Sequence, residues 1–310
     1  MASSKELANR IKGIKDTKKI TNAMYLISST KMHRCRSSFE KTNIFFKTLK
    51  DEAAAIACSM DEINSIYFSD IEIDEDNTDE AWGILVITAD KGLAGAYNQN
   101  VIKETMKITS AHKNSRLFVV GEYGRHYFMS HGMDIEEDFL FTAQDPSMNR
   151  ARDITGHIME LYDSGDLKKV YIVYTDFKNG LESRVVSYRL VPFHRNHFFP
   201  EEKSRVTADR YADEPGADDV QTQRDIEYFP DQTQVLDNMI PMYCTGIVYS
   251  ALADSYCSEL NARMMAMDSA NQNADDLIEE LTKLHNRLRQ DGITEEITEI
   301  SGASRGLRKK

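Results

Sequence analysis

Proline and glycine are scarce: this chain of 310 residues has 6 and 15 of them, about 2% and 5% where average usage is near 5% and 7%. So few turn formers argue against a turn-dense all-β fold and against a Pro/Gly-rich disordered chain, and favour long uninterrupted helices. Cysteine is scarcer than glycine or proline. Cys35, Cys58, Cys244 and Cys257 form no CxxC pair and no zinc spacing, so a disulfide framework is not expected and the four read as reduced, mostly buried small residues. Long apolar runs are missing as well. The best, Gly83 to Thr88 and Leu117 to Gly121, fall far short of the ~18 residues that cross a bilayer, so an integral membrane protein is not expected. The first residues, Met1 to Glu6, lead straight into periodic sequence without a compact apolar segment, and acidic Glu6 and Asp16 oppose a transit-peptide reading. A cytoplasmic compartment is the expectation.

The charge is unevenly placed. The net charge is -12, yet Met1 to Lys50 carries twelve Lys/Arg against only Glu6, Asp16 and Glu40. A basic end on an acidic protein points to an acidic partner. Asp61 to Glu80 holds nine acids and no Lys or Arg, and Glu201 to Asp231 ten acids against four bases. Both read as solvated connectors.

Residues 5–60 carry a 3,4-spaced seam through Leu7, Ile11, Ile14, Tyr25, Met32, Cys35, Phe39, Phe46, Leu49, Ala53, Ile56 and Met60, with no proline. Polar Lys18, Thr21, Ser28 and Thr42 interrupt it, so the pattern is a coiled-coil-like helix with polar gaps rather than a strict zipper. Ser4 is the expected N-cap. At the other end Leu260, Met264, Met267, Ala274, Ile278, Leu281 and Leu288 keep similar spacing, broadened by Leu277 and Leu284 and extended by Ile293, Ile297 and Ile300. This helix is expected to start after Pro230 with Asp231 or Thr233 as cap, to kink or restart at Pro241, and to end near residue 300. Helices of some 55 to 65 residues reach roughly 80 to 100 Å, so the two ends read as projecting rods.

Between them the period changes. Trp82–Thr88, Arg116–Gly121 and Val170–Tyr174 are short apolar runs of the buried-strand type, alternating with helical stretches at Asn98–His112, Tyr123–His131 and Ser147–Ser164. The middle therefore reads as an α/β layer with a mostly parallel sheet, and Ser183–Phe193, after the turn signal Lys178-Asn179-Gly180, as an antiparallel addition. The expected division is a helix over 1–60, an acidic connector over 61–80, an α/β domain over 81–200, an acidic loop over 201–231 and a second helix over 232–310.

Catalytic patterns are missing. GxxxxGK[ST] does not occur, and Gly92-Leu93-Ala94-Gly95 is neither a P-loop nor GxGxxG, so a tight strand-to-helix turn outweighs phosphate binding there. Asp90 and Lys91 read as a local ion pair rather than a catalytic couple. The eight histidines show no HExxH, His194 and His197 fall in a polar loop, and no GxSxG occurs. No catalytic residue, metal site or cofactor is expected. Met264, Met265 and Met267 read as packing rather than a cofactor box. An α/β enzyme would have to use the central sheet, which calorimetry with ATP or NAD would test. A nucleic-acid or membrane-surface binder would use the basic helix, but Leu7, Ile11 and Ile14 lack interleaved aromatics and have an apolar partner in the C-terminal seam.

Four segments resemble one family, in family order: Arg10 to Met24 (RIKGIKDTKKITNAM), Asp90 to Asn98 (DKGLAGAYN), Ala262 to Met267 (ARMMAM) and Asn286 to Ile300 (NRLRQDGITEEITEI). All four are similar to the gamma subunit of F-type ATP synthases. The resemblance implies an antiparallel coiled coil of the terminal helices around a Rossmann-like α/β domain, working as a non-catalytic rotor that couples ion flow to ATP synthesis or hydrolysis. It implies alpha and beta subunits, an epsilon subunit and the membrane c-ring as partners, no nucleic acid, and a peripheral place on the cytoplasmic face of a bacterial membrane. It also implies that Met24 lies level with beta-subunit loops and that Arg263, Gln290 and Thr294 contact the hexamer. Without it, Met24 reads as seam packing and the other three as solvated helix surface.

Overall fold

The computed structural model describes residues 4–60, 63–69, 80–178, 183–194 and 227–307. Two helices bracket the chain, α1 (Ser4–Cys58) and α5 (Gln232–Leu307). Between them come β1 (Trp82–Ile87), α2 (Tyr97–Ala111), β2 (Ser115–Val120), α3 (Glu122–Ser130), α4 (Met148–Asp163), β3 (Lys169–Phe177) and β4 (Ser183–Val191). The residues group into two compact units: those up to Thr30 with those from Arg263 on, and Lys31–Ala262.

In the second unit the sheet runs β2-β1-β3-β4. β1 pairs in parallel with both β2 and β3, while β4 adds to β3 antiparallel. All six residues of β1 are buried, as a central strand covered on both faces requires. The pleat splits its side chains by parity. Ile84 and Val86 join Leu117, Val119 and Val173 beneath Val101 and Ile102 of α2 and Phe128 of α3. Leu85 and Ile87 join Phe118, Val120 and Ile172 beneath Ile154 and Ile158 of α4 and a stripe on α5. That stripe, Leu236, Ile240, Cys244, Val248 and Leu252, recurs every four residues and is at most 1% exposed, so this part of α5 is core and not rod. The fold class is the expected one, an α/β layer with a mostly parallel sheet between two long helices.

α5 is also joined to β3 by hydrogen bonds. The pairing of β1 with β3 ends at Val86 and Val173, which leaves the backbone of Thr175 without a neighbour on that side. Ser255 Oγ accepts from Thr175 N at 3.3 Å and Ser258 Oγ donates to Thr175 O at 3.4 Å. A buried backbone left bare would cost about 1–3 kcal/mol per group.

Several local expectations need correction. Ser4 is the first residue of α1, and its hydroxyl meets His285 Nδ1 at 3.2 Å rather than serving only its own first turn. α5 does start after Pro230, with Asp231 as cap accepting from Gln234 N at 2.9 Å. It then passes Pro241 without restarting and ends at Leu307, beyond the expected residue 300. The stretch 63–69 is no solvated connector: Tyr67 is buried, Phe193 N donates to Tyr67 O at 2.7 Å, and Phe68 bridges Phe193. Aromatic side chains among the acids supply the apolar area that docks it. Most of 61–80 and 201–231, Asn179 and Gly180 of the expected turn, and His197 lie outside the described residues.

Gly246 lies inside α5 for a reason only packing reveals. A Cβ there would stand 2.2 Å from Phe46 Cδ1 and 2.7 Å from its Cγ. Because Cγ lies on the ring's own rotation axis, a ring flip cannot clear the clash. Gly246→Ala is expected to destabilise the second unit by about 1–3 kcal/mol through overpacking, despite alanine's better helix propensity. Urea unfolding followed by the fluorescence of Trp82, the single tryptophan, measures it. Recovery in the double variant with Phe46→Leu is expected, and an unchanged single variant would disprove the clash.

Candidate functional site

The first unit is a helix pair with a thin seam. On α1, Leu7 and Ser28 are buried and Ile11, Ile14, Lys18, Thr21, Met24 and Tyr25 half-buried. On α5, Met267 is buried and Met264, Asn271, Ala274, Ile278, Leu281, His285 and Leu288 are half-buried. Most of the remaining positions are exposed, including Leu277 and Leu284 at 45% and 43% exposure. These two leucines therefore lie beside the seam rather than broadening it.

The polar gaps are filled by bonds across the pair. Lys18 pairs with Asp275, and the Thr21 hydroxyl donates to Asn271 Oδ1. As the contacts climb from Ser4 to Lys18 to Thr21 on α1, they descend from His285 to Asp275 to Asn271 on α5. The pair is antiparallel. Polar pairs at seam positions specify register at a cost in stability, so this pair is defined in register without being heavily buried. Ser28, the remaining gap in this unit, bonds back to Met24 O at 2.8 Å.

Basic residues line the outside. Lys5, Arg10, Lys12, Lys15 and Lys19 are all exposed. Lys19 donates to Asp16 at 2.8 Å and holds that carboxyl below its usual range, with a smaller contribution from Lys12.

The same register separates the four singled-out positions into two groups. Met24 comes abreast of Met267, about one turn from Arg263, and both Met24 and Arg263 are half-buried. Gln290 and Thr294 are exposed on one face of α5, with Thr294 Oγ1 donating to Gln290 O at 2.9 Å. They lie about 30–45 Å along the rod from the first group at 1.5 Å per residue. They also lie past His285, where the described part of α1 begins. From there α5 continues to Leu307, about 33 Å of helix. Ile293, Ile297 and Ile300 lie along it, 44%, 59% and 71% exposed. The sequence pattern showed these isoleucines as an extension of the seam. That no described residue of α1 stands opposite them required the register.

The Asp90–Asn98 segment is a structural junction in the second unit. The Asp90 carboxylate accepts from Ala143 N at 3.0 Å, Gln144 N at 3.2 Å and Glu122 N at 3.4 Å, holding the loop before α4 and the first residue of α3 to the end of β1. Asn98 Oδ1 accepts from Ala89 N at 2.9 Å. Leu93 and Gly95 take positive φ, 65° and 54°, and Ala89, Ala94, Tyr97 and Ala262 pack together. The tight-turn reading of Gly92 and Gly95 is the one this geometry supports. Among the described residues no group of His, Cys, Asp and Glu is arranged to hold a metal, and no described helix is long and apolar enough to cross a membrane.

A family model described as ATP synthase matches residues 3–307. An ATP synthase gamma chain of Caldanaerobacter subterraneus subsp. tengcongensis is 38% identical over 301 residues, covering 97% of this chain and 99% of that one. The chain belongs to the ATP synthase gamma family. Within the family, a sodium-ion-specific gamma chain of Acetobacterium woodii is 30% identical over 302 residues, covering 97% of this chain and 98% of the relative. The rotor of the Euglena gracilis mitochondrial ATP synthase superposes with a TM-score of 0.61 at 15% identity, covering 94% of this chain and 98% of that chain, which supports the fold. A family member is a non-catalytic, peripheral subunit of a membrane-bound complex, consistent with a site made of helix surface rather than a pocket.

Proposed function

We propose that this gamma chain turns as the central shaft of an F-type ATP synthase on the cytoplasmic face of a bacterial membrane. In that role it couples ion flow through a membrane c-ring to ATP synthesis or hydrolysis in a hexamer of alpha and beta subunits, with an epsilon subunit as a further partner. The functional division follows the two units: the helix pair, residues up to 30 and from 263 on, as the shaft, and the α/β domain, with the stretches 63–69 and 236–252 docked on it, as its base.

One observation carries the reading. Among the described residues, none of α1 stands opposite α5 beyond Leu288, where Ile293, Ile297 and Ile300 are exposed. Isolated apolar stripes of this kind need a partner, since each isoleucine gains about 1.5–3 kcal/mol on full burial. An apolar collar around a single helix tip provides one without a keyed, orientation-specific contact. A shaft that must be accepted in several orientations is served by such a bearing, with small polar contacts elsewhere, because a large fixed interface would trap one orientation.

Met24, Arg263, Gln290 and Thr294 are the proposed contacts with the hexamer. Met24→Lys tests them. It adds a cation to a stretch that already exposes Lys15 and Lys19, where the shaft passes acidic beta-subunit loops. A desolvated pair with one carboxylate adds about 1–3 kcal/mol, a five- to 150-fold change in the equilibrium between rotor orientations. Assembly is expected to stay intact, and ATP-driven ion pumping in reconstituted vesicles to fall more than hydrolysis. Partial rescue is expected from a second change that weakens the contacts of Gln290 or Thr294. Equal pumping and hydrolysis would show that Met24 only packs in the seam.

A further inference from the structure

α1 and α5 also meet within the second unit, at a point the rotor reading does not use. Cys35 is half-buried on α1 and Cys257 buried on α5, both as free thiols. The Cys35 thiol donates to Ala253 O at 3.7 Å. Ala253 lies one turn before Cys257 on the same face of α5, and its small side chain lets the two helices approach. Cys257 therefore stands one turn from the carbonyl that the Cys35 thiol touches, and the two cysteines are neighbours across the helix interface, 222 residues apart in the chain by their numbers. We propose that Cys35 and Cys257 form an oxidisable dithiol whose reaction with a low-molecular-weight disulfide staples α1 to α5 reversibly.

The two sulfurs have different roles. The hydrogen bond from Cys257 lowers the Cys35 thiol below its usual range, although burial and the carboxylates of Asp254 and Asp145 oppose the shift. The bond to Cys35, burial, the charge on Cys35 and Asp254 push the Cys257 thiol up, against Arg36. Cys35 is the attacking sulfur, because it is half-buried and open to a dissolved disulfide while Cys257 is buried. Its thiolate attacks one sulfur of the disulfide RSSR, forming a Cys35–SR mixed disulfide and releasing RS⁻, which takes up the Cys35 proton. Cys257 then gives up its proton and attacks the Cys35 sulfur, forming the Cys35–Cys257 bond and releasing the second R group as RSH. Two protein thiols are oxidised and one RSSR is reduced to two RSH. Cys244 is not a competing partner: it is fully buried, and burial pushes its thiol well up.

This proposal stands on the second unit alone and does not depend on the rotor reading. The test treats the purified, reduced full chain with oxidised glutathione, followed by peptide mass mapping under non-reducing conditions. The expected product is a linked Cys35–Cys257 peptide pair, two hydrogens lighter than the thiols, without retained glutathione and reversed by dithiothreitol. Cys257→Ser is expected to stop at glutathione on Cys35, Cys35→Ser to leave Cys257 unmodified, and Cys58→Ser or Cys244→Ser to cross-link as before. Cys35 should also be alkylated at neutral pH at least roughly tenfold faster than Cys244. Glutathione retained on Cys35 in the unsubstituted chain, a cross-link that includes Cys58 or Cys244, or no reaction at all would overturn the proposal.

Discussion

Replacing Gly121 by valine is expected to move the urea midpoint of the second unit down by roughly 1–2 M, the largest stability loss of any single change considered. Gly121 follows β2 with φ 97° and ψ 131°, where a β-branched residue is a genuine outlier. A Cβ there would stand 2.3 Å from Thr88 O and 2.8 Å from Thr88 Oγ1. Thr88 cannot withdraw, because its hydroxyl donates to Val120 O at 3.0 Å and accepts from Gly124 N at 3.1 Å, and its backbone N donates to Val120 O at 2.9 Å. Strain of about 1–3 kcal/mol and overpacking of similar size give about 2–6 kcal/mol, against a total stability of about 5–15 kcal/mol. With m near 1–3 kcal/mol per M, that is the predicted shift. Gly132 is the control: its φ is 67° but nothing lies within 4 Å, so Gly132→Ala should cost only about 1–2 kcal/mol. Equal losses at the two sites would show that backbone conformation alone, and not the approach to Thr88, requires glycine at 121.

The second large effect is on assembly rather than folding. The triple change Ile293→Asp, Ile297→Asp and Ile300→Asp is expected to leave the isolated chain's thermal unfolding within about 0.5 kcal/mol, as surface changes do. It is expected to weaken association with the alpha/beta hexamer by roughly two decades. Already partly covered, each isoleucine would gain about 1 kcal/mol on entering an apolar collar, and about 3 kcal/mol together is a factor near 100. Binding of the purified chain to the hexamer, compared with the same change at Leu277 and Leu284 outside the seam, measures it. If both variants lose affinity equally, the tip stripe is not the bearing.

How much was legible before the fold can be followed residue by residue. The strands showed because Trp82–Ile87 and Val170–Tyr174 are short apolar runs without interruption, the pattern of strands covered on both faces. The rods showed because the 3,4 spacing runs over 5–60 and from Leu260 to Ile300 without proline. The polar gaps at Lys18 and Thr21 were visible as gaps. Their partners, Asp275 and Asn271, were not, because a seam records that a helix has a partner and not at which level it meets it. The aromatics of 63–69 were hidden by the acids around them, where charge density outweighed Tyr67 and Phe68 in any reading by composition. Gly246, a lone glycine in a helical pattern, carried no signal of the ring packed against it. The contact roles of Met24, Arg263, Gln290 and Thr294 came from resemblance alone.

The sequence by itself determined element type and order, the basic character of the first helix and the family, because periodicity, charge and motif order are written along the chain. Tertiary structure decided what depends on pairs of residues far apart in it. The antiparallel register brings Ser4 to His285 and leaves Ile293, Ile297 and Ile300 without a partner among the described residues of α1. The sheet gives α5 a core stripe from Leu236 to Leu252 and hands Thr175 to Ser255 and Ser258. Helix packing brings Cys35 to Ala253 O, one turn before Cys257. None of these is a local property, because each is set by how helices of known type pack against a sheet and against one another.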